Sequence, residues 1–176
     1  MITTSVLRSV SSFVLALLWS ASAAFAEPVA EFGVLQPQDV ETIQGCLTQA
    51  AATSPATAPG GCIGTVATLC LTTSADKPAE LVIADCNGRE AAAWDRILNE
   101  TYAKAVIVAK RRDETFAASL IAPAAFQTLR DAQRAWILFR DAECGRIFAL
   151  FEATEGRLVF SSECSLRLTA ERAIVL

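Results

Sequence analysis

The sequence predicts an all-α fold: a small disulfide-stabilised helical domain with two long antiparallel helices, shorter helices and loops. Three observations carry that expectation. Apolar residues recur at three- and four-residue spacing, and no alternating run is long enough for a sheet. Clusters of proline, glycine and small polar residues divide the chain into helix-length pieces. The six cysteines are an even count, which in an oxidising compartment reads as three disulfides.

Residues 1–26 read as a signal peptide. Arg8 supplies a positive start, Phe13 to Trp19 form a short apolar run, and Ala24-Phe25-Ala26 is an A-x-A cleavage signal ahead of Glu27. The run is far shorter than the roughly 20 residues that cross a bilayer. No cysteine follows the cut, so no stable membrane anchor is expected after cleavage. The expected destination is the periplasm or the medium outside a bacterial envelope. The remainder, residues 27–176, is long enough for one domain with a real core. It holds 14 basic and 19 acidic residues, a net charge of -5. That balance argues against nucleic acid and anionic membrane surfaces as partners, since both favour a basic face.

The elements follow in order. Val40, Ile43 and Leu47 recur at helical spacing after Asp39, which could cap a short first helix. Ala50 to Gly61 is a breaker-rich loop. Cys62 to Leu71 forms a second short helix, weakened by its threonines and valine. Thr72 to Glu80 is another turn-rich link. From about Cys86 to Lys110 a long helix carries Trp94, Leu98 and Tyr102 on one stripe. A second long helix begins near Pro123 and runs to about Phe151, with Leu129, Trp136 and Phe139 along one side and Ala132 and Ala135 allowing close approach. Glu155-Gly156 ends it. Leu158-Val159-Phe160 reads as a brief extended piece, and Ser161 or Ser162 as the cap of a last helix.

Geometry limits the disulfides. If Cys62 and Cys70 share a helix, their α-carbons lie about 12 Å apart, beyond the roughly 7 Å that a disulfide tolerates. The spacings then favour Cys46–Cys62 and Cys70–Cys86, with the crossed pairs Cys46–Cys70 and Cys62–Cys86 still open. Cys144 and Cys164 flank the turn at Gly156 and would staple the last helix to the long one. Each loop of this size contributes about 3 kcal/mol in the chain-entropy picture.

Two stretches stand out: "CNGREAAAWDRILNETY" (86–102) and "LRDAQRAWILFRDAEC" (129–144). The first carries Trp94, Asp95, Leu98, Asn99 and Tyr102; the second carries Gln133, Trp136, Arg140 and Asp141. Together with the tail "LRLTAERAIVL" (166–176) they resemble the signature of the LprI-type lysozyme inhibitor family, over about residues 82–176. The resemblance implies a mainly helical, disulfide-bonded envelope protein that binds and inhibits lysozyme.

The signature also has a purely structural reading. Asp95 and Asn99 are one turn apart, and Gln133, Trp136 and Arg140 share a face of the second helix. If the helices pack antiparallel, the Asp95/Asn99 pair could meet Arg140 or Gln133 between the aromatics. Such a buried, paired set would fix the register of the two helices. Arg130, Asp131 and Arg134 are expected on the solvated side.

Catalysis finds little support. The chain has no histidine, and no G-x-S-x-G, P-loop or G-x-G-x-x-G to place a nucleophile or cradle a phosphate. Asp113-Glu114 could act as a carboxylate pair, but in the run Lys110 to Glu114 they read as a solvated helix end. No C-x-x-C is present, so no metal or other cofactor is expected. Two functions remain: a non-catalytic lysozyme inhibitor, or a structural module of the envelope that binds another protein or a glycan. For an inhibitor, loops 50–61 and 72–80 are the contact candidates, because pre-organised loops lower the ordering cost of binding. They hold only three charged residues, Asp76, Lys77 and Glu80.

Overall fold

In a computed structural model of the chain, the described residues are 33–53, 59–74, 79–119, 121, 124–151, 154 and 156–176. The expected signal peptide lies outside them. They form five α-helices and no strand: α1 (Pro37–Thr53), α2 (Thr65–Thr72), α3 (Ala79–Thr115), α4 (Ala125–Leu150) and α5 (Gly156–Val175), with a 3-10 turn at Pro59–Cys62 before α2. Among the described residues no helix is long and apolar enough to cross a membrane.

α1 begins one turn earlier than Asp39 suggests. Pro37 takes the first helical position, where its missing N–H costs nothing. Asp39, in the first turn, accepts the Gln36 N–H at 2.7 Å, which is half of a capping box. Asp39 is also buried, and Arg89 of α3 donates to it from Nε at 2.7 Å and from Nη2 at 2.5 Å. The Asp39 hydrogen bond, opposed by partial burial, holds the Arg89 guanidinium above its ordinary pKa. The side chain expected to cap a helix therefore also ties that helix to α3.

α3 is the longest element, about 56 Å at 1.5 Å per residue. Its first half supplies Cys86, Ala93, Trp94, Ile97 and Leu98 to the main core. α1 adds Val40 and Ile43, the α2 region adds Cys62 and Val66, and α5 adds Leu166, Ala170 and Ala173. A second small cluster joins Cys144, Cys164 and Leu168 between α4 and α5.

The disulfides join Cys46 to Cys62, Cys70 to Cys86 and Cys144 to Cys164, with Cα–Cα distances of 5.8, 5.6 and 5.5 Å. They tie α1 to the 3-10 turn, α2 to α3, and α4 to α5. Cys62 closes the 3-10 turn and so does not share a helix with Cys70.

α4 lies antiparallel to α3. Asp113, near the end of α3, accepts the N–H groups of Ala125 and Phe126 at 2.8 and 3.0 Å, and Asp95 approaches Arg140 farther along the pair. Ala124, which precedes α4, offers no side-chain cap, so Asp113 supplies one from the neighbouring helix. The expectation of a merely solvated helix end at Asp113 is corrected accordingly.

Residues 158–160 are helical and not extended. Ser161 and Ser162 donate back to the carbonyls of Leu158 and Val159, three residues earlier, so they lie inside α5 and do not cap it. The ring of Phe160 meets Phe151 at 4.5 Å, although Phe160 stays exposed and Leu158 and Val159 are half-buried.

Two glycines are required by close approach or backbone hand. Gly33 has φ +79°, and a Cβ there would fall 2.2 Å from the backbone of Gly88; its N–H is accepted by Asp85 at 2.8 Å. Gly64, with φ +95°, enters α2 in the left-handed region and has no side chain to cap it. The cap comes from Glu90 of α3, which is fully buried. Its Oε1 accepts from Gly64 N at 2.6 Å and from Trp94 Nε1 at 3.0 Å, and its Oε2 accepts from Ala67 N at 2.7 Å.

Glu90→Ala strands two buried donors and one partly buried one and should cost about 3–5 kcal/mol in urea unfolding of the oxidised protein, at about 1–3 kcal/mol per unsatisfied group. A loss under about 1 kcal/mol would mean that solvent or another side chain replaces the carboxyl.

Candidate functional site

The signature residues belong to three helices and divide into two groups. On α3, Trp94 and Leu98 are fully buried in the core, as their stripe requires. Asp95 and Asn99 sit one residue onward, about 100° around the helix axis, and this rotation carries them to the rim. Asn99 Nδ2 donates to Asp95 Oδ2 at 2.9 Å. Tyr102 is half-buried where α3 leaves the core.

On α4 the inward face is Gln133, Trp136, Arg140 and Cys144, at i, i+3, i+7 and i+11. Leu129 and Trp136 are half-buried, whereas Phe139, Ala132 and Ala135 are exposed, so the stripe expected through Phe139 is not the packing face. The helix turns the neighbouring polar positions inward because each finds a partner there.

Trp136 is the hinge of the arrangement. The Arg140 guanidinium lies 5.1 Å from its ring and that of Arg172, on α5, 5.9 Å from it. Arg172 Nε also donates to the buried Gln133 Oε1 at 2.9 Å. Arg140 donates from Nε to Asp141 at 2.9 Å, and its Nη1 lies 3.9 Å from Asp95. The Asp95 side chain is 51% exposed against 23% for Arg140.

One buried set uniting Asp95, Asn99, Arg140 and Gln133 is therefore not what forms. Asp95, Asn99, Arg140 and Asp141 make a half-exposed chain along the α3–α4 rim. Gln133 turns instead to Arg172, inside the α4–α5 contact. Arg172 lies within the tail that resembles the family signature, three residues beyond Thr169, but nothing local in the sequence points it at Gln133. Arg134 and Asp131 are exposed and Arg130 is half-exposed.

Two further polar groups, Glu90 and Asp39, the latter paired with Arg89, are buried against the core. Glu90 extends the Trp94–Leu98 stripe back by one turn toward Cys86, and an acid on a core stripe is a detectable anomaly. Asp39 with Arg89 is separated by 50 residues and has no local pattern.

Beside the rim lies a groove of about 450 Å³ between α3, α4 and α5. It is lined by Ala84 and Gly88 of α3, Asp141, Gly145 and Phe148 of α4, and Ser162 of α5. Ser162 Oγ also accepts from Asn87 Nδ2 at 3.2 Å. Asp95, Asn99, Trp136, Arg140 and Asp141 contact one another, while Trp94 and Gln133 pair with Glu90 and Arg172. Among the described residues no group of three or more His, Cys, Asp or Glu could hold a metal ion.

A protein of this kind, a helical scaffold locked by disulfides and paired charges, fits recognition. A family model described as "Lysozyme inhibitor LprI" matches residues 70–176, and the chain belongs to that lysozyme inhibitor family. The match contains α3, α4 and α5 entire and begins at Cys70 within α2; α1 and the Cys46–Cys62 bond lie before it. No curated protein and no solved structure matches the chain.

The two groups should differ in urea unfolding. Arg172→Ala leaves buried Gln133 without its donor and should cost about 1–3 kcal/mol. Arg140→Ala loses a rim ion pair and a ring contact, about 1 kcal/mol. Arg134→Ala should barely move the midpoint. A larger loss for Arg140 than for Arg172 would reverse this assignment.

Proposed function

We propose that the chain is an exported envelope protein that binds lysozyme and inhibits it without catalysis of its own. Membership of the lysozyme inhibitor family is the observation that carries this reading. Three disulfides suit an oxidising compartment such as the periplasm or the medium outside the cell.

Charge supports the reading as well. Outside residues 101–139 the chain has nine basic and sixteen acidic residues, a net of -7. An acidic, rigid body would steer toward a basic enzyme and raise the association rate at low salt. We place the inhibitory contact on this acidic portion, with loops 50–61 and 72–80 as candidates. Their central residues, 54–58 and 75–78, lie outside the described residues.

The inward pairing of the signature favours a second reading. Trp94, Gln133 and Trp136 serve packing, so the shared motif can record architecture while the partner is another protein or an envelope glycan. Lysis of peptidoglycan by several lysozyme types, with oxidised protein and with a reduced and alkylated control, separates the two. Inhibition predicts dose-dependent protection that is lost on reduction and weakened by salt. Absence of protection against every type, from protein shown to be folded, would leave the module.

A further inference from the structure

α5 runs antiparallel beside α4: Cys164 is bonded to Cys144, Arg172 reaches Gln133, and the helix ends at Val175. α3 and α4 continue past that end. After Leu98 the one buried residue of α3 is Ala109, and among the described residues no third helix covers this part of the pair. From Thr101 to Thr115 the extension is about 20 Å long at 1.5 Å per residue.

Residues 116–124 read Phe-Ala-Ala-Ser-Leu-Ile-Ala-Pro-Ala, nine residues without a charge. Phe116 is 48% exposed and Ile121 88%. Farther back on α3, Ile107 and Val108 are also exposed. Just behind the tip stand Lys110, Arg111 and Arg112, and the cations lie against aromatic rings: Arg112 over Phe116 at 5.5 Å and Lys110 over Phe126 at 4.8 Å. The Asp113 carboxyl is occupied by the N-terminus of α4, which leaves Glu114 as the exposed acid of this end.

The acidity of the whole chain argues against an anionic surface as partner, but the fold segregates the charge. Residues 101–139 hold six basic and three acidic side chains, a net of +3, against -7 for the rest.

We propose that the tip of the α3–α4 hairpin docks reversibly on an anionic lipid bilayer. Phe116 and Ile121 enter the headgroup–acyl boundary, while Lys110, Arg111 and Arg112 keep their stems along the apolar zone and their charges at the headgroups. An exposed apolar patch ringed by cations is matched by such a surface on both counts. A second copy fits less well. Tip-to-tip contact would set two Lys110–Arg112 clusters against each other, and tip-to-acidic-end contact would propagate without closing. The inference goes beyond the lysozyme reading and stands without it.

The test is flotation of the oxidised, exported protein with vesicles of mixed phosphatidylglycerol and phosphatidylcholine, and with phosphatidylcholine alone. The expected result is flotation with the anionic vesicles, suppressed by salt, and little with the neutral ones. Arg111→Ala should weaken it about fivefold, the usual value of one basic residue near such a surface. Ile121→Ser should weaken it about tenfold or more. Both side chains are exposed, so circular dichroism should be unchanged, and protection from lysozyme, where present, should remain. Equal flotation with both vesicle types, no flotation, or flotation untouched by the tip substitutions would overturn the proposal. Self-association without lipid that Ile121→Ser abolishes, with no flotation, would assign the tip to a second copy.

Discussion

The carboxyl of Glu90 is the constraint around which the helices are arranged. It sits in the middle of the core with three N–H donors converging on it, two from the start of α2 and one from the Trp94 indole. Removing such a group from water is costly unless every oxygen is satisfied. Here that requirement fixes three things together: where α2 begins, how Trp94 is turned, and how far α2 stands from α3. α2 has only eight residues, with threonines and a valine of modest helix propensity, and Gly64 provides no cap. Its place is therefore set by α3 and by the Cys70–Cys86 bond more than by its own sequence.

The same device recurs along α3. Asp85 receives the N–H of Gly33, Arg89 grips Asp39 at the first turn of α1, and Asp113 caps α4. The long helix thus positions α1, α2 and α4 through charged side chains at their first turns, whereas α5 meets it through apolar packing and the neutral Asn87–Ser162 bond. The four contacts are spaced along one rod, so shifting any neighbour by a residue would break a directed bond as well as repack side chains. Directional bonds of this kind specify register even where their net contribution to stability is small.

What was legible in the sequence follows from range. The helical class, the long α3 and α4 and the Trp94–Leu98 stripe depend on spacings within a few turns, and the 3.6-residue period exposes them directly. Helix termini were less legible. Asp39 has the composition of a cap but lies inside the first turn, because Pro37 already starts the helix. Leu158 to Phe160 carry strand-like composition, yet they lie in the first turns of the helix Gly156–Val175, where the Ser161 and Ser162 hydroxyls bond back to the carbonyls of Leu158 and Val159. Partners separated by tens of residues, such as Arg172 with Gln133 or Asp39 with Arg89, leave no local trace. Asp95 reaches the rim because it lies about 100° round the axis from Trp94 on the side away from Ala93, which is buried.

That rotation bears on how the family signature relates to function. Its most buried members, Trp94, Leu98 and Gln133, hold α3, α4 and α5 together, whereas Asp95, Asn99, Arg140 and Asp141 form a rim that is open to solvent. A partner that reads the signature directly must do so along this rim and the adjoining groove, since the remainder is out of reach. Yet the rim carries a net charge of only -1: Asp95 and Asp141 are both close to Arg140, with Asn99 uncharged. Steering by net charge must therefore come from side chains outside the signature. Internal pairing holds α3 to α5 together as a frame, and a lysozyme contact of the kind proposed would have to use the solvent-facing positions that this frame presents.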